Sequence, residues 1–278
     1  MPRRIFKNRL SLHRGCRDCC APGLAQFQSG VCITAHKHLL NRNYSLGILI
    51  VTIYGMLNFT PMVLLPPLLR EHAGFPDAVI GFIIAGRGVG GSIGFLVAGF
   101  SHRIDPRISM MIGFGMLFTA GVWLMNIDLN VTVGSLVANA FLQGLAIGAC
   151  WVPLTLLTFA NIKPEDMPET TAVYHLLRNL GSSFFISLCV AEIVRSTTTN
   201  YARLSEMVNP FNKILTLPGV VGRWDVETVA GLARVGNEIN RQSAMIGYLN
   251  AFGMFTAACA CTIPLILLMR RRPSTPKT

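Results

Sequence analysis

Gly86-Arg87-Gly88-Val89-Gly90-Gly91-Ser92-Ile93-Gly94 sits in the middle of an otherwise apolar stretch. A second stretch, far downstream, carries Arg178-Asn179-Leu180-Gly181-Ser182-Ser183. Both read Arg-x-x-Gly-(Gly/Ser)-Ser. An arginine at the centre of a membrane-spanning helix costs about 2.5–3.5 kcal/mol on insertion scales. Carrying that cost twice, in one local pattern, points to an internal repeat with a polar task at the centre of a bilayer.

Composition supports the membrane setting. Of 278 residues, 51% are hydrophobic and only 13% are charged; a soluble domain carries roughly 25%. Six stretches are long and apolar enough to span, at 44–66, 78–100, 108–127, 132–160, 170–194 and 243–269, since a crossing helix needs about 20 residues. Pro61, Pro66 and Pro67 are expected to kink or shorten the first. The fold expected is an all-α membrane protein of six transmembrane helices.

The net charge of +11 is distributed as loop charge, not as a nucleic-acid patch. Arg103 and Arg107 fall between spans two and three, Arg270, Arg271 and Arg272 follow span six, and Lys37 and Arg42 precede span one. Positive loops stay cytoplasmic, so both termini are expected inside. On that orientation span two runs inward and span five outward. Arg87 and Arg178 then reach similar depth on oppositely directed helices, each the second of a three-helix group. This is the pattern of inverted-topology repeats, whose interface holds the substrate site in many transporters.

Other residues divide between packing and function. Gly86, Gly90 and Gly94 in span two, and Gly144 and Gly148 in span four, recur every fourth position. Such spacing serves close helix packing, as would Gly181 within the second motif. Asn139 and Gln143 share a face of span four with Trp151 and Pro153 further along it. Buried amides need partners, either a neighbouring helix or a ligand. Asn58 in span one and Asn250 in span six are weaker candidates of the same kind. His175 shares a face with Arg178, and reads first as a polar residue near a span end. All thirteen acids lie outside the spans or near their ends, Glu192 deepest. No phosphate-binding GxxxxGK[ST] is present, and no nucleophile–base pair argues for an enzyme. No cofactor is expected.

The flanking segments are read separately. Residues 196–242 form the one long connection, expected outside, with an amphipathic helix over Trp224–Gln242 marked by Val226, Val229, Leu232, Val235 and Ile239. Residues 1–38 read as an unstructured segment outside the domain. Cys16-x-x-Cys19 matches half of a zinc pattern, which Cys32 with His36 would complete to four ligands, and a solvated tail accounts for it better. Residues 271–278 read as a cytoplasmic tail.

Ordered motifs carry a family resemblance. Val63-Leu-Leu-Pro66-Pro-Leu-Leu-Arg70-Glu-His-Ala-Gly74-Phe75 resembles the end of the ninth span in EmrB/QacA-type drug:proton antiporters of the major facilitator superfamily. Gly86-Arg87-Gly88 resembles their tenth span. Gln143-Gly-Leu-Ala-Ile-Gly148 with Pro153-Leu154 resembles the twelfth, and Arg178-Asn-Leu-Gly181-Ser-Ser the thirteenth. Val208-Asn-Pro210-Phe-Asn212 and Tyr248-Leu-Asn250-Ala-Phe252 resemble the loop before the last span and its start.

The resemblance covers about residues 39–270 and implies the C-terminal six-helix half of a fourteen-span exporter of amphipathic, often cationic, compounds in a bacterial inner membrane. It implies that Arg87 and Arg178 line or brace the central cavity. The family's proton-coupling acid would then belong to upstream helices. Two alternatives stand beside this one. The chain could be inactive without a separately supplied N-terminal half, or it could be a membrane scaffold or oligomeric pore.

Overall fold

The computed structural model describes residues 42–100, 105–128, 131–160, 162–208 and 228–268. The zinc pattern at Cys16, Cys19, Cys32 and His36, the Arg103 loop position, the 209–212 motif, the 271–278 tail and Trp224–Val226 lie outside them. The described residues form six long helices: α1 (Arg42–Pro67), α2 (Asp77–Phe100), α3 (Pro106–Met125), α4 (Val133–Thr158), α5 (Met167–Glu206) and α6 (Val229–Leu267). All six are long and apolar enough to cross a membrane, and the protein is an all-α integral membrane protein.

The prolines of α1 do not end it. The helix runs through Pro61 to Pro67 and then widens into a π-helical turn, Leu68–His72. A proline removes the amide that would pair with the carbonyl four residues before it, and past the last proline the chain continues in wider hydrogen-bonded turns. The Ala73 amide donates to Leu68 O at 3.2 Å and the Phe75 amide to Leu69 O at 2.9 Å. Gly74, at φ 74°, then turns the chain out of the helix, a left-handed conformation that glycine adopts without a Cβ clash.

Two helices are longer than the apolar pattern foretells. α5 has 40 residues and α6 has 39. At 1.5 Å per residue each is about 60 Å long, twice the hydrocarbon thickness. The expected end of span five at residue 194 is therefore corrected to Glu206. The expected separate helix over Trp224–Gln242 is corrected too: from Val229 it is one piece with span six. The physical reason is that Ile239-Asn-Arg-Gln-Ser243 ends an apolar stretch without breaking a helix. Hydropathy marks where lipid ends, and only a proline, a glycine cap or lost pairing marks where a helix ends.

The packing repeats between the two halves of the bundle. α2 packs along α4, as α5 packs along α1, and α3 packs against α6. The correspondence extends to single residues. Gly144 of α4 has no room for a β-carbon against the Arg87 carbonyl of α2, and Gly55 of α1 has none against the Arg178 carbonyl of α5. Gly90, one turn past Arg87, abuts the Phe141 carbonyl; Gly181, one turn past Arg178, abuts Thr52. Gly94 and Gly148 extend the first contact, and Gly86 packs on Val137. The glycines thus bring backbone against backbone, the main attraction left where lipid is as apolar as the side chains.

Two apolar clusters fill the bundle. One joins Val51, Phe114, Leu154, Tyr174 and Phe255 from five helices. The other joins Leu65, Ile83, Leu136, Phe185 and Phe252 with α2 included.

Candidate functional site

The two arginines enter the bundle from opposite sides and both reach the central pair, α1 and α4. Their backbones are equivalent and their side chains are not. Arg87 donates from Nη1 to Gln143 Oε1 at 2.8 Å. Its Nη2 donates to Asn58 Oδ1 at 3.1 Å and also to the Asn58 carbonyl oxygen. Pro61, three residues on, lacks the amide that would pair with the neighbouring Leu57 carbonyl, which loosens the helix next to Asn58.

The hydrogen bonds continue inward. Gln143 Nε2 donates to Asn139 Oδ1 at 2.6 Å, and Asn139 Nδ2 donates to the Ala120 carbonyl at 2.9 Å. Asn139 and Gln143 are 3% and 2% exposed. Their spacing of four residues places one amide above the other on α4. A single chain of donors and acceptors therefore ties α2, α1, α4 and α3 together, and Arg87 ends it with both terminal nitrogens of its guanidinium engaged.

Arg178 is held differently. Its Cζ lies 5.2 Å from the centroid of the Trp151 ring, a cation–π distance. Among the described residues its hydrogen-bond acceptor is the neighbouring Asn179 Oδ1, at 3.3 and 3.4 Å, beyond the usual 2.7–3.2 Å. Around Trp151 lie Tyr54 at 5.4 Å, Tyr174 at 6.0 Å and His175, stacked at 30°, also at 6.0 Å. Tyr54 is anchored by donating to the Ile147 carbonyl at 3.1 Å. Tyr174 is wholly buried, and its hydroxyl has no hydrogen-bond partner among the described residues.

The expected residues thus separate into two neighbouring groups. Arg87, Asn58, Gln143 and Asn139 form the hydrogen-bonded chain. Arg178, Trp151 and His175 form an aromatic cluster one to two turns along α4. Pro153 is buried within α4. Asn250 joins neither group and donates to Ser196 Oγ at 2.8 Å, between α6 and α5. Tyr54, Tyr174 and Gly55 were not anticipated. Nearly the same offset separates Gly55 from Gly144 as Arg87 from Arg178, so extending the repeat outward would have found Gly55. The tyrosines carry no comparable signal, because an aromatic in an apolar span reads as core.

Beside Arg87 a small cleft opens between Pro61, Leu65, Pro66 and Ile84. It has about 20 Å³ of free volume, room for about one water. A drug-sized ligand needs about 300–1,000 Å³. Among the described residues no group of three or more His, Cys, Asp or Glu comes together to hold a metal.

Residues 22–189 match the profile of the Major Facilitator Superfamily. The chain belongs to that superfamily. Within it, the chain is similar to the multidrug export protein EmrB of Escherichia coli K12, 29% identical over 174 residues, which are 62% of this chain and 34% of that protein. It is 24% identical over 237 residues to the probable multidrug resistance protein EmrY of the same organism, covering 84% of this chain and 46% of that one. It is 21% identical over 232 residues to the fatty acid resistance protein FarB of Neisseria gonorrhoeae, covering 83% and 46%. The chain spans between a third and a half of the length of these relatives.

Proposed function

We propose that this chain is the C-terminal six-helix half of a drug exporter of the EmrB kind, residing in a bacterial inner membrane with both termini cytoplasmic. It moves amphipathic small molecules outward in exchange for protons. The observation that carries this reading is the pairing of Arg87 and Arg178 at equivalent backbone positions beside α1 and α4. Intramembrane charge is rare and almost always faces a partner or a pathway, and inverted repeats hold their substrate site at the repeat interface. The resistance and export activities named for EmrB, EmrY and FarB agree with it.

The chain supplies one wall of the route. A free volume of about 20 Å³ cannot enclose a drug, and no described acid lies beside either arginine. Closing the cavity and coupling it to protons therefore fall to helices outside this chain. Arg87, with its hydrogen-bonded chain, braces the wall; Arg178, Trp151 and His175 face the route. An enzyme or a scaffold leaves the repeated arginines without a role.

The test is proton-driven efflux of a fluorescent dye from membrane vesicles. Vesicles holding this chain alone are expected to match empty vesicles. Vesicles that also hold the upstream eight spans of a fourteen-span relative are expected to export. No efflux in either, with both polypeptides inserted and folded, sinks the proposal.

A further inference from the structure

Arg107, in the first turn of α3, holds two buried donors without an acceptor. Its Nε and Nη2 are shut off from solvent and make no hydrogen bond among the described residues. Among those residues no acid forms an ion pair with it either. Glu169 is the other charged side chain among them with a buried unpaired atom, and it lies on α5, which packs along α1 and α6. Burying an unpaired charge is costly, and folded proteins rarely leave such donors without a partner.

The position of Arg107 points to the partner. α3 and α6 pack antiparallel: Gly121 of α3 abuts Phe255 and Thr256 of α6, and Met110 shares an apolar cluster with Ile266. Arg107 lies fourteen residues before Gly121, about 21 Å along the axis. The same step along α6 runs just past its end at Leu267, so Arg107 is level with the foot of α6. From there the sequence continues Met269-Arg270-Arg271-Arg272. Ile108 and Ile112, one turn apart on α3, are exposed, and so are Leu267 and Leu268 at the end of α6. The foot of this helix pair thus combines an apolar strip with cationic side chains. On the orientation proposed above, it lies in the cytoplasmic leaflet.

We infer that Arg107 binds the phosphate of an anionic glycerophospholipid whose acyl chains lie along Ile108, Ile112, Leu267 and Leu268. The planar guanidinium matches the oxygens of a phosphate. Basic clusters at the cytoplasmic end of a membrane helix recognise anionic lipid. The apolar strip selects a lipid over a free anion, because a phosphodiester carried on acyl chains satisfies the arginine and covers the isoleucines together. Arg87 and Arg178 take no part in this site.

The test uses the full chain in detergent, delipidated and titrated in a native mass spectrometer. The probes are dioleoylphosphatidylglycerol, dioleoylphosphatidylcholine and inorganic phosphate. Phosphatidylglycerol is expected to bind first and at the lowest concentration, and phosphate alone is not expected to bind. Arg107→Gln is expected to weaken the first phosphatidylglycerol about fivefold, the worth of one basic residue at an anionic surface, and to leave phosphatidylcholine unchanged. Arg107→Lys keeps the charge and is expected to keep most of the affinity. Lys163→Gln removes the same charge from the α4–α5 connection and is expected to bind as the parent does. Equal binding by Arg107→Gln and the parent overturns the site. So does an equal loss in Arg107→Gln and Lys163→Gln, which would make the attraction diffuse, or an equal loss in Arg107→Gln and Arg107→Lys, which would trace it to packing. Phosphatidylcholine bound as tightly as phosphatidylglycerol overturns the anionic preference, and phosphate bound as tightly overturns the lipid. Each of these outcomes leaves the export reading standing.

Discussion

Gly144 lies so close to the carbonyl oxygen of Arg87 that no β-carbon fits between them. The contact joins α4 to α2 backbone to backbone, and Gly55 repeats it against Arg178 in the other half of the bundle. The motif that places arginines in the membrane is therefore also the motif by which helices pack. An arginine emerges at each point where two helices touch most closely.

Gly144→Ala is expected to force α2 and α4 apart. Overpacking of this kind costs about 1–3 kcal/mol. Thermal unfolding in detergent should show a lower midpoint than for the parent. Gly115→Ala, where nothing lies within 4 Å, should show no loss, since alanine is the better helix former. Equal midpoints for the two variants would rule out the close-packing account.

Arg87→Ala and Arg178→Ala should behave unequally. The first leaves Gln143 Oε1 and Asn58 Oδ1 without their donor, at about 1–3 kcal/mol. The second loses a cation–π contact worth about 0.5–1 kcal/mol. Unfolding midpoints are expected to fall more for Arg87→Ala. In a complete transporter both are expected to reduce efflux. Matching midpoints would contradict the separation into a brace and a route-facing residue.

A double-mutant cycle on Arg87→Leu and Gln143→Leu should report coupling. Residues in direct hydrogen-bond contact couple by about 0.5–3 kcal/mol, and membrane values average about 0.6. The cycle is read from unfolding free energies in mixed micelles. Strict additivity would mean that the bond at 2.8 Å contributes nothing to stability.

Arg241 donates from Nε to the His72 carbonyl at 2.6 Å, joining α6 to the π-helical turn of α1. Arg241→Ala removes that partner from the end of the turn. Amide hydrogen exchange over Leu68–Phe75 is expected to quicken, because local opening follows the loss of local pairing. Unchanged protection there would show that the turn holds itself.

The six spans, their order and the repeated arginines are legible from residues 42–267 alone. An apolar run of bilayer length leaves a helix as the one way to satisfy the backbone in lipid. The packing glycines are legible for a related reason. Every fourth position falls on one helix face, so Gly86, Gly90 and Gly94 identify a surface before its partner is known. The lengths of α5 and α6 were not legible, since Ile239–Ser243 leaves the lipid while remaining helical. Nor were the roles of the two arginines. One local pattern, Arg-x-x-Gly-(Gly/Ser)-Ser, describes both residues. Their difference lies in what other helices bring to each guanidinium: the oxygens of Asn58 and Gln143 to one, and the face of Trp151 at 5.2 Å to the other. Periodicity acts along one helix and can be read there. A hydrogen-bond partner 29 or 56 residues away depends on how helices cross, and no local pattern encodes it.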